Sequence, residues 1–323
     1  MLAEDISRDL LSVAVTRSLN IQDQDISFER CSTGKFNTTY FVESSGLAPL
    51  VLRIAPADDR RANLFYEYRM MRQEPALHET IGQRTTVPIP AIKAHDFSHE
   101  LFDRDFLVME RVSGTPVSEH WGLGRQGFER MLCQVGESLR QVHALRSNHY
   151  GYLGEHRPME PQNNWTEAFV IMWHKLLDDI QSCGGYNQNE ADSMRRLLES
   201  HLGRFNRQAP SSLLHMDIWA QNILADSQGR MTGLLDWDRA LWGDPEIEFA
   251  VLDYCGISEP PFWEGYGEKR DKSPEARIRN VFYLLYELQK YIFIRRVRGK
   301  NPALADQYRS QSLALASQIG LRL

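Results

Sequence analysis

The chain has 323 residues, of which 42% are hydrophobic and 25% charged, ordinary values for a globular protein that builds its own core. Its 37 Lys and Arg against 43 Asp and Glu give a formal net charge of −6, which argues against a nucleic-acid binder with a basic face. The four cysteines lie far apart and have no histidine at zinc-ligand spacing, which excludes a zinc-finger protein.

The first third of the chain is predicted to consist mainly of strands. Residues 1–19 have the apolar spacing of an amphipathic helix, and the pattern returns to helix over residues 58–73. Apolar segments bounded by turn-forming residues predict strands over residues 26–31, 39–43, 50–54, 92–97 and 105–110. These elements predict a small five-stranded antiparallel unit with one internal helix.

The rest of the chain is predicted to be mostly helical. One helix is predicted around the apolar stripe that follows Phe128, and others over residues 164–182, 190–205, 275–297 and 302–318. Short strands are predicted at residues 213–215, 223–225 and 232–235. The predicted fold class is α+β, with an N-terminal lobe over residues 1–112 and a larger C-terminal lobe over residues 113–323. Because two lobes joined by a short connection enclose a cleft, we expect ligands to bind between them.

Polar side chains cluster around two short apolar segments of the C-terminal lobe. His215, Asp217 and Asn222 lie in the segment LLHMDIWAQNIL, and Asp236 and Asp238 end the next apolar strand, GLLDWD. The interval between Asn222 and Asp236 fits a β-hairpin that returns the chain to the same place. Carboxylate and amide oxygens are ligands that suit Mg²⁺.

The spacing Asp-x-x-x-x-Asn is that of the protein-kinase catalytic loop, which is followed by a metal-binding Asp. Together with His215, with Asp-Trp-Asp at residues 236–238 and with Trp-Gly-Asp-Pro at residues 242–245, this spacing resembles the aminoglycoside phosphotransferase and choline kinase-like small-molecule kinases. The resemblance implies a bilobal protein-kinase-like fold. One departure is Met216, where many members have glycine, and we expect it to alter the shape of the loop without loss of the chemistry.

The resemblance also implies a role for each residue of the motif. Asp217 would be the catalytic base or the group that orients the acceptor hydroxyl. Asn222 and Asp236 would bind Mg²⁺, and Asp238 would support the metal site. His215 would hold the loop by hydrogen bonding. Taken singly, any of these residues could instead be the cap of a turn.

In the N-terminal lobe, the turn between the first two strands lies where kinases place the hairpin that covers the nucleotide phosphates. Ser32, Thr33, Gly34 and Asn37 are its candidate nucleotide-binding residues. The turn has a single glycine, so that an ordinary hairpin is the alternative.

Arg53, on the third predicted strand, is the candidate cation for the ATP phosphates and a candidate catalytic residue, in the place of the Lys of most protein kinases. Its predicted partner is Glu67, on the helix predicted over residues 58–73. The alternative for Glu67 is a solvated carboxylate that pairs with Arg69 or Arg72. Residues 106–114 resemble the strand that leads into the interlobe connection in the family.

The interlobe connection supplies the candidate adenine site. Backbone groups near Glu110 and Val112 would bind the edge of the adenine, and Met109 would form part of its apolar wall. These three residues therefore complete the predicted nucleotide site.

The predicted function is the ATP- and Mg²⁺-dependent transfer of a γ-phosphoryl group to a hydroxyl of a small molecule. Glu246, Asp253 and Trp263, in the C-terminal lobe, are candidate acceptor-binding residues. Acidic residues there would suit a cationic acceptor such as an aminoglycoside or an amino alcohol. The acids could equally be solvated, and the aromatic ring could belong to the core.

Two other functions stay open at this point. A nucleotide-binding pseudokinase would keep the fold and act as a regulator, and Arg53 in place of Lys is compatible with it. A metal-dependent hydrolase could use Asp217, Asp236, Asp238 and Asp244 around two metal ions. The identity of the acceptor, the preference for ATP or GTP and the oligomeric state stay open as well.

The sequence shows no targeting or membrane-spanning segment. Its first residues lack the basic start and apolar run of a signal peptide, and the apolar stretch over residues 281–294 is interrupted by polar residues and too short to cross a bilayer. We therefore expect a cytoplasmic protein whose partners are ATP and a small-molecule acceptor, with no nucleic-acid or membrane partner.

Overall fold

Strands dominate the first part of the chain and helices the second. The computed structural model describes residues 6–22, 25–32, 36–101 and 103–322. Its helices are α1 (Arg8–Leu19), α2 (Glu74–Arg84), α3 (Arg125–Ala144), α4 (Trp165–Ser182), α5 (Gln188–Glu199), α6 (Pro245–Tyr254), α7 (Pro260–Tyr266), α8 (Pro274–Phe293) and α9 (Pro302–Ser317). Its strands are β1 (Ile26–Arg30), β2 (Thr38–Ser44), β3 (Leu50–Ile54), β4 (Ile92–Asp96), β5 (Phe106–Glu110), β6 (Thr115–Pro116), β7 (Ser212–Leu214), β8 (Ile223–Ala225), β9 (Met231–Leu234) and β10 (Leu241–Gly243).

The five predicted N-terminal strands form one antiparallel sheet in the order β1-β2-β3-β5-β4. Leu52 and Ile54 of β3 are fully buried, and they share a hydrophobic cluster with Leu11 and Val15 of α1. The central position of β3 gives Arg53 strand neighbours on both sides, which fixes its backbone. The boundary predicted at residue 112 follows β5 by two residues, and as a domain boundary it stays a prediction.

The helix predicted over residues 58–73 is wrong. This stretch contains only the short 3₁₀ turns Arg60–Ala62 and Met70–Gln73, and the helix α2 begins after them. The Asp59 side chain accepts a hydrogen bond from the Arg61 N–H at 3.0 Å, and Arg69 has a left-handed φ of 59°, so the helical hydrogen bonding cannot continue. Apolar spacing alone did not reveal these breaks.

The helical region packs two of its helices unusually closely. Gly136 of α3 lies against the backbone of Phe262, and Gly265 of α7 lies against the backbone of Cys133, with no room for a Cβ at either glycine. This contact holds α7 directly against α3. The sequence reading did not predict α2, α6 or α7.

Three short hairpin-like pairings position the motif residues in the helical region. Strand β7 pairs with β10, and β8 pairs with both β6 and β9. The segment with His215, Asp217 and Asn222 connects β7 to β8, and Asp236 and Asp238 follow β9 directly. The chain therefore returns to the same place, as the spacing predicted. No helix in the described part of the chain is long and apolar enough to cross a membrane.

Candidate active site

A cleft of about 1290 Å³ separates the N-terminal sheet from the helical region. It is lined by nearly all the candidate residues that the structure describes: Ser32, Asn37, Arg53, Glu67, Met109, Glu110, Val112, Asp217, Asn222, Asp236 and Asp238. Two further candidates, Thr33 and Gly34, lie outside the described residues. The structure thus brings together side chains that are up to about 200 residues apart in the chain.

His215 holds the backbone that carries Asp217. Its Nε2 lies 2.9 Å from the carbonyl oxygen of Leu235, and its Nδ1 accepts the Asp217 N–H at 3.2 Å. These two bonds require the tautomer with the proton on Nε2. The ring packs on Trp237 with a centroid distance of 4.3 Å, and burial lowers the pKa of His215. His215 therefore has the position of a supporting residue beneath the cleft.

The backbone beneath Asp217 is held by a buried carboxylate that the sequence reading did not assign to this role. Glu248 of α6 accepts the N–H of His215 at 3.2 Å and that of Met216 at 2.6 Å. Its own partner is Nε2 of His143 on α3, at 2.8 Å. Burial opposes ionisation, but the bond from His143 holds the pKa of Glu248 below its usual value. The sequence contains one signal for this role, because Glu248 lies between apolar residues of its helix.

Asp217 faces the cleft, and its carboxylate accepts hydrogen bonds from two neighbouring side chains. Its Oδ1 accepts a hydrogen bond from Arg239 at 2.6 Å, and its Oδ2 accepts one from Asn222 Nδ2 at 3.1 Å. About 24% of the side chain stays exposed, so a ligand in the cleft can reach it. Burial disfavours its charge, but Arg239 and Lys290 hold the pKa of Asp217 below its usual range. Asp217 is therefore an ionised hydrogen-bond acceptor at neutral pH. The sequence reading did not single out Arg239.

A second group of charges surrounds Arg53. Its guanidinium donates to Glu74 at 2.6 Å, to Asp236, and to Asp238 at 3.3 Å. Asn37 Nδ2 donates to the same oxygen of Asp238 at 3.0 Å. Burial alone would lower the pKa of Arg53, but the three carboxylates raise it well above its usual value. Arg53 therefore joins the sheet to the motif residues of the helical region.

The predicted pairing of Arg53 with Glu67 is wrong. Glu67 accepts the Leu64 N–H at 2.8 Å and the Arg298 Nη2 at 2.9 Å, whereas Glu74, seven residues later at the start of α2, contacts Arg53. The predicted pairing failed because the chain around Glu67 turns instead of continuing as a helix. Glu67 still lines the cleft, on the side of the α8 terminus.

Residues 27–277 match the profile of the phosphotransferase enzyme family. The chain belongs to that family. The resemblance to small-molecule kinases and the α+β kinase-like fold are thereby confirmed.

Several individual relatives are recognisable at low identity. A probable ketoamine kinase of Staphylococcus aureus is 27% identical over 182 residues, which cover 52% of this chain and 60% of that protein. A crystal structure from Haemophilus somnus, provisionally assigned as a fructosamine-3-kinase, has a TM-score of 0.68 and 18% identity, and covers 96% of both chains. The chain spans between half and three fifths of the length of the first curated relatives it matches.

A third relative was crystallised with both of its ligands. It is a thermostable mutant of an aminoglycoside phosphotransferase in ternary complex with AMP-PNP and hygromycin B. Its TM-score is 0.63 at 17% identity, and the match covers 90% of this chain and 93% of that one. At such identity the likeness concerns the fold.

The cleft contains a set of oxygen ligands that fits a divalent cation. One oxygen from each of Glu74, Asp236 and Asp238 lies within 4.8 Å of the others. Burial and mutual repulsion raise the pKa of Asp238 well above its usual value, and burial raises that of Asp236 despite Arg53. Asn222 donates its amide nitrogen to Asp217, which leaves its amide oxygen for a cation. Hard oxygen donors of this kind suit Mg²⁺.

The three predicted acceptor-binding residues are not among those that line the cleft. Glu246 pairs with Arg279 at 2.7 Å, and Asp253 pairs with Arg270 at 2.6 Å. Trp263 packs on Phe249 at a centroid distance of 4.9 Å and belongs to the core around α7. Glu246 and Asp253 lie on α6 and Trp263 lies on α7, and none of the three is among the residues that line the cleft, so their acceptor-binding role stays a prediction that this geometry does not support.

Proposed function

We propose that this chain transfers the γ-phosphoryl group of ATP to a hydroxyl of a small molecule. The observation that carries the proposal is the convergence of Asp217, Asn222, Asp236 and Asp238 with Arg53 on one cleft. This set combines a carboxylate that can accept the hydrogen bond of a substrate hydroxyl, oxygen ligands for a cation, and a fixed positive charge. Phosphoryl transfer requires these three kinds of group.

Asp217 is the proposed hydroxyl-orienting group. Its carboxylate accepts the hydrogen bond of the acceptor hydroxyl and directs the hydroxyl oxygen at the γ-phosphorus. The new P–O bond forms as the bond between the γ-phosphorus and the β,γ-bridging oxygen breaks, and ADP leaves with that electron pair. Because the pKa of Asp217 is low, it takes the hydroxyl proton late, when the oxygen has become acidic. Arg239 fixes the carboxylate in this orientation.

The nucleotide lies, in this proposal, between the sheet and the connection after β5. Met109 forms part of the apolar wall, and the backbone at Glu110 and Val112 binds the adenine edge. Arg53 offsets the negative charge of the phosphates. Mg²⁺, held by Asn222, Asp236 and Asp238, would supply further positive charge to the phosphate oxygens. Crystals of the related phosphotransferase with AMP-PNP support this assignment.

Two observations bear on the class of acceptor: the names of the similar proteins, and the positions of two predicted acidic residues outside the cleft. Probable ketoamine kinases and an aminoglycoside phosphotransferase in complex with hygromycin B are among the similar proteins, and hygromycin B carries several hydroxyl groups. The hypothesis of a cationic acceptor rested on Glu246 and Asp253, which pair with arginines outside the cleft. We therefore propose a polyhydroxylated acceptor. Ketoamines and aminoglycosides are both included in the test below as candidate acceptors.

The proposal predicts the behaviour of Asp217→Asn in an ATP-consumption assay over ketoamines, aminoglycosides, amino alcohols and sugar acids, with products identified by mass. We expect kcat to fall about 10²- to 10⁴-fold, because an amide cannot take the hydroxyl proton. The KM for ATP should stay within about threefold, because Asp217 does not bind the nucleotide in this proposal.

Asp192→Asn is the matched control, since Asp192 is a partly exposed residue of α5 that pairs with Arg195 outside the cleft, and it should keep the wild-type kcat. An unchanged kcat in Asp217→Asn would contradict the role of this residue. ATP binding without any phosphorylated product would favour a pseudokinase, and phosphate release without a phosphorylated acceptor would favour a hydrolase.

A further inference from the structure

The end of the cleft beyond Asp217 is lined mainly by basic side chains. Arg239 follows the motif, Lys290 lies on α8, and Arg295 and Arg298 lie on the turn that ends α8. The acidic side chains at this end are Glu67, Asp217 and Glu287. Four positive groups therefore face three negative ones, in a chain whose overall net charge is −6.

Each of the three carboxylates is already paired. Glu67 binds Arg298 at 2.9 Å, and Asp217 binds Arg239 at 2.6 Å. Glu287 contacts Arg239 at 3.6 Å and also Lys290. Arg295 forms no ion pair with any carboxylate among the residues that the structure describes. The positive charge of Arg295 is therefore the one left over at this end of the cleft.

In the described part of the chain, Arg295 and Arg298 each also have one buried donor without a hydrogen-bond partner, and so does Arg239, at its Nε. Within the described residues, neither Nε of Arg295 nor Nη1 of Arg298 has an acceptor, although both atoms are inaccessible to solvent. The side chain of Arg298 is about 11% exposed. Buried charged donors without partners are costly, and an acceptor supplied by a ligand is one way to satisfy them. Both atoms belong to side chains that line the cleft.

The backbone here has a rare conformation. Residues Ile294–Arg298 form a π-helical turn at the end of α8, and such turns occur preferentially at functional sites. The turn carries both guanidinium groups. The guanidinium carbon of Arg295 lies 5.9 Å from the ring centroid of Tyr291, which stacks on Tyr308 at 5.0 Å. Arg295 thus rests on packed aromatic rings, with less freedom than a solvated surface arginine.

We propose that the acceptor carries an anionic group, a carboxylate or a phosphate, which binds Arg295 and Arg298 while the acceptor hydroxyl reaches Asp217. This inference rests on the proposed function, because it assigns the second half of the cleft to the acceptor. It names an acceptor class: hydroxylated acids or phosphate esters, including ketoamines that retain the carboxylate of an amino acid. A polycationic aminoglycoside offers no group for this subsite.

The test compares acceptors in matched pairs that differ only in the anion. D-gluconate is paired with D-gluconamide, fructosyl-glycine with fructosyl-glycinamide, and glycerol 3-phosphate with glycerol, so that the pairs separate carboxylate from phosphate. Kanamycin is the cationic member. Transfer is measured with ATP and Mg²⁺, and binding is measured by calorimetry on the full chain loaded with AMP-PNP and Mg²⁺. We expect the anionic member of at least one pair to be favoured at least about tenfold, as for one charge-assisted contact.

Two variants locate the effect. Arg295→Gln should reduce the preference for the anion to about twofold or less and leave the neutral member unchanged, since one charge-assisted contact is lost. Arg296→Gln is the matched control, because Arg296 lies on the same turn and pairs with Asp306 outside the cleft, at 3.4 Å. The control should keep the wild-type preference.

The outcomes separate this inference from the proposed function. Transfer to neutral or cationic acceptors without any preference for an anion overturns the inference and leaves the function intact. A preference that survives in Arg295→Gln also overturns it. Anion binding that depends on Arg295, without transfer to any acceptor, supports the subsite and overturns the function. Absence of both binding and transfer across all pairs overturns both.

Discussion

Two residues of the motif, Met216 and Asp236, have left-handed backbone conformations, with φ of 67° and 68°. A non-glycine residue pays roughly 1–2 kcal/mol for this conformation, so the surroundings must hold it. The N–H of Met216 binds Glu248, and the carboxylate of Asp236 binds Arg53. The Met216 side chain is fully buried in the helical core. A glycine at position 216, as is common in the family, would therefore relieve the strain of the left-handed backbone but would remove a side chain from the core.

Another single residue, Asp179 of α4, connects the helical region to the segment after β3 and makes stability depend on pH. It accepts the Phe65 N–H at 2.7 Å, and burial raises its pKa to about 7. Between about pH 4 and pH 7 the folded chain keeps the proton that the unfolded chain has lost, so stability falls as pH rises through this window.

Asp179→Asn should therefore be more stable than the wild type at pH 8, by about 2 kcal/mol, and nearly equal to it at pH 4. The amide keeps an oxygen for the Phe65 N–H and has no charge to bury. Urea unfolding at both pH values measures the difference. Asp178→Asn, at the exposed neighbouring position, should show no such pH dependence. An equal gain at both pH values would refute the assignment of the effect to titration.

At the scale of elements, helix α6 positions the segment between β7 and β8. Its Glu248 accepts two backbone N–H groups of that segment and one bond from His143 of α3. Three parts of the chain therefore meet at one carboxylate with no exposed surface. The geometry of Asp217 depends on this contact, although Glu248 itself does not line the cleft.

Glu248→Gln should lower the free energy of unfolding by about 2–3 kcal/mol, because an amide oxygen and an NH₂ group cannot replace two carboxylate oxygens as acceptors. It should also reduce kcat more than it changes the KM for ATP, since it acts through the backbone of Asp217. Thermal unfolding and steady-state kinetics measure the two effects.

Asp253→Asn, on the same helix but in a partly exposed ion pair, is the control for stability, and its cost should stay below about 1 kcal/mol. A stability loss in Glu248→Gln as small as that of the control would contradict the role of the buried carboxylate.

On the scale of the whole molecule, polar bonds across the cleft join its two sides. Arg53 and Asn37 bind Asp238. Gln73 donates to the backbone carbonyl of Asp238 at 2.5 Å and to that of Ala240 at 3.1 Å. Nucleotide and metal would bind at this junction in the proposed function, so binding should stabilise the molecule as a unit.

The melting temperature should therefore rise with AMP-PNP, and rise further when Mg²⁺ is added. Asp236→Asn should retain the rise with AMP-PNP alone and lose the increment from Mg²⁺, because it removes one charged oxygen ligand. Differential scanning calorimetry with and without Mg²⁺ measures both. Asp306→Asn, an exposed variant on α9, should keep the increment. A full increment in Asp236→Asn would show that this residue does not bind the metal.

Local spacing predicted much of this fold and site. The motif residues Asp217 and Asn222 precede β8 and Asp236 follows β9, so their proximity follows from the pairing of these two short strands. The choice between Glu67 and Glu74 did not follow in this way, because it depends on where α2 begins. The chain enters α2 through the left-handed Arg69 and the 3₁₀ turn Met70–Gln73, which apolar periodicity does not reveal.

The acceptor side was the least predictable part. Glu246, Asp253 and Trp263 come soon after the motif in sequence, yet contacts between helices place them elsewhere. The residues that do line this end, Arg295 and Arg298, lie on a π-helical turn far along the chain. Their importance depends on which carboxylates are already paired, and this is a property of the folded molecule alone.

The unequal distribution of charge gives the cleft an electrical polarity. Carboxyl groups outnumber the one guanidinium near Asp236, whereas positively charged groups, Lys290 included, outnumber carboxylates near Arg295. A ligand whose own charges are unequally distributed would be oriented by this field before it contacts the protein. The association rate constant of such a ligand should then decline as ionic strength rises, while the order of affinities among different ligands is retained.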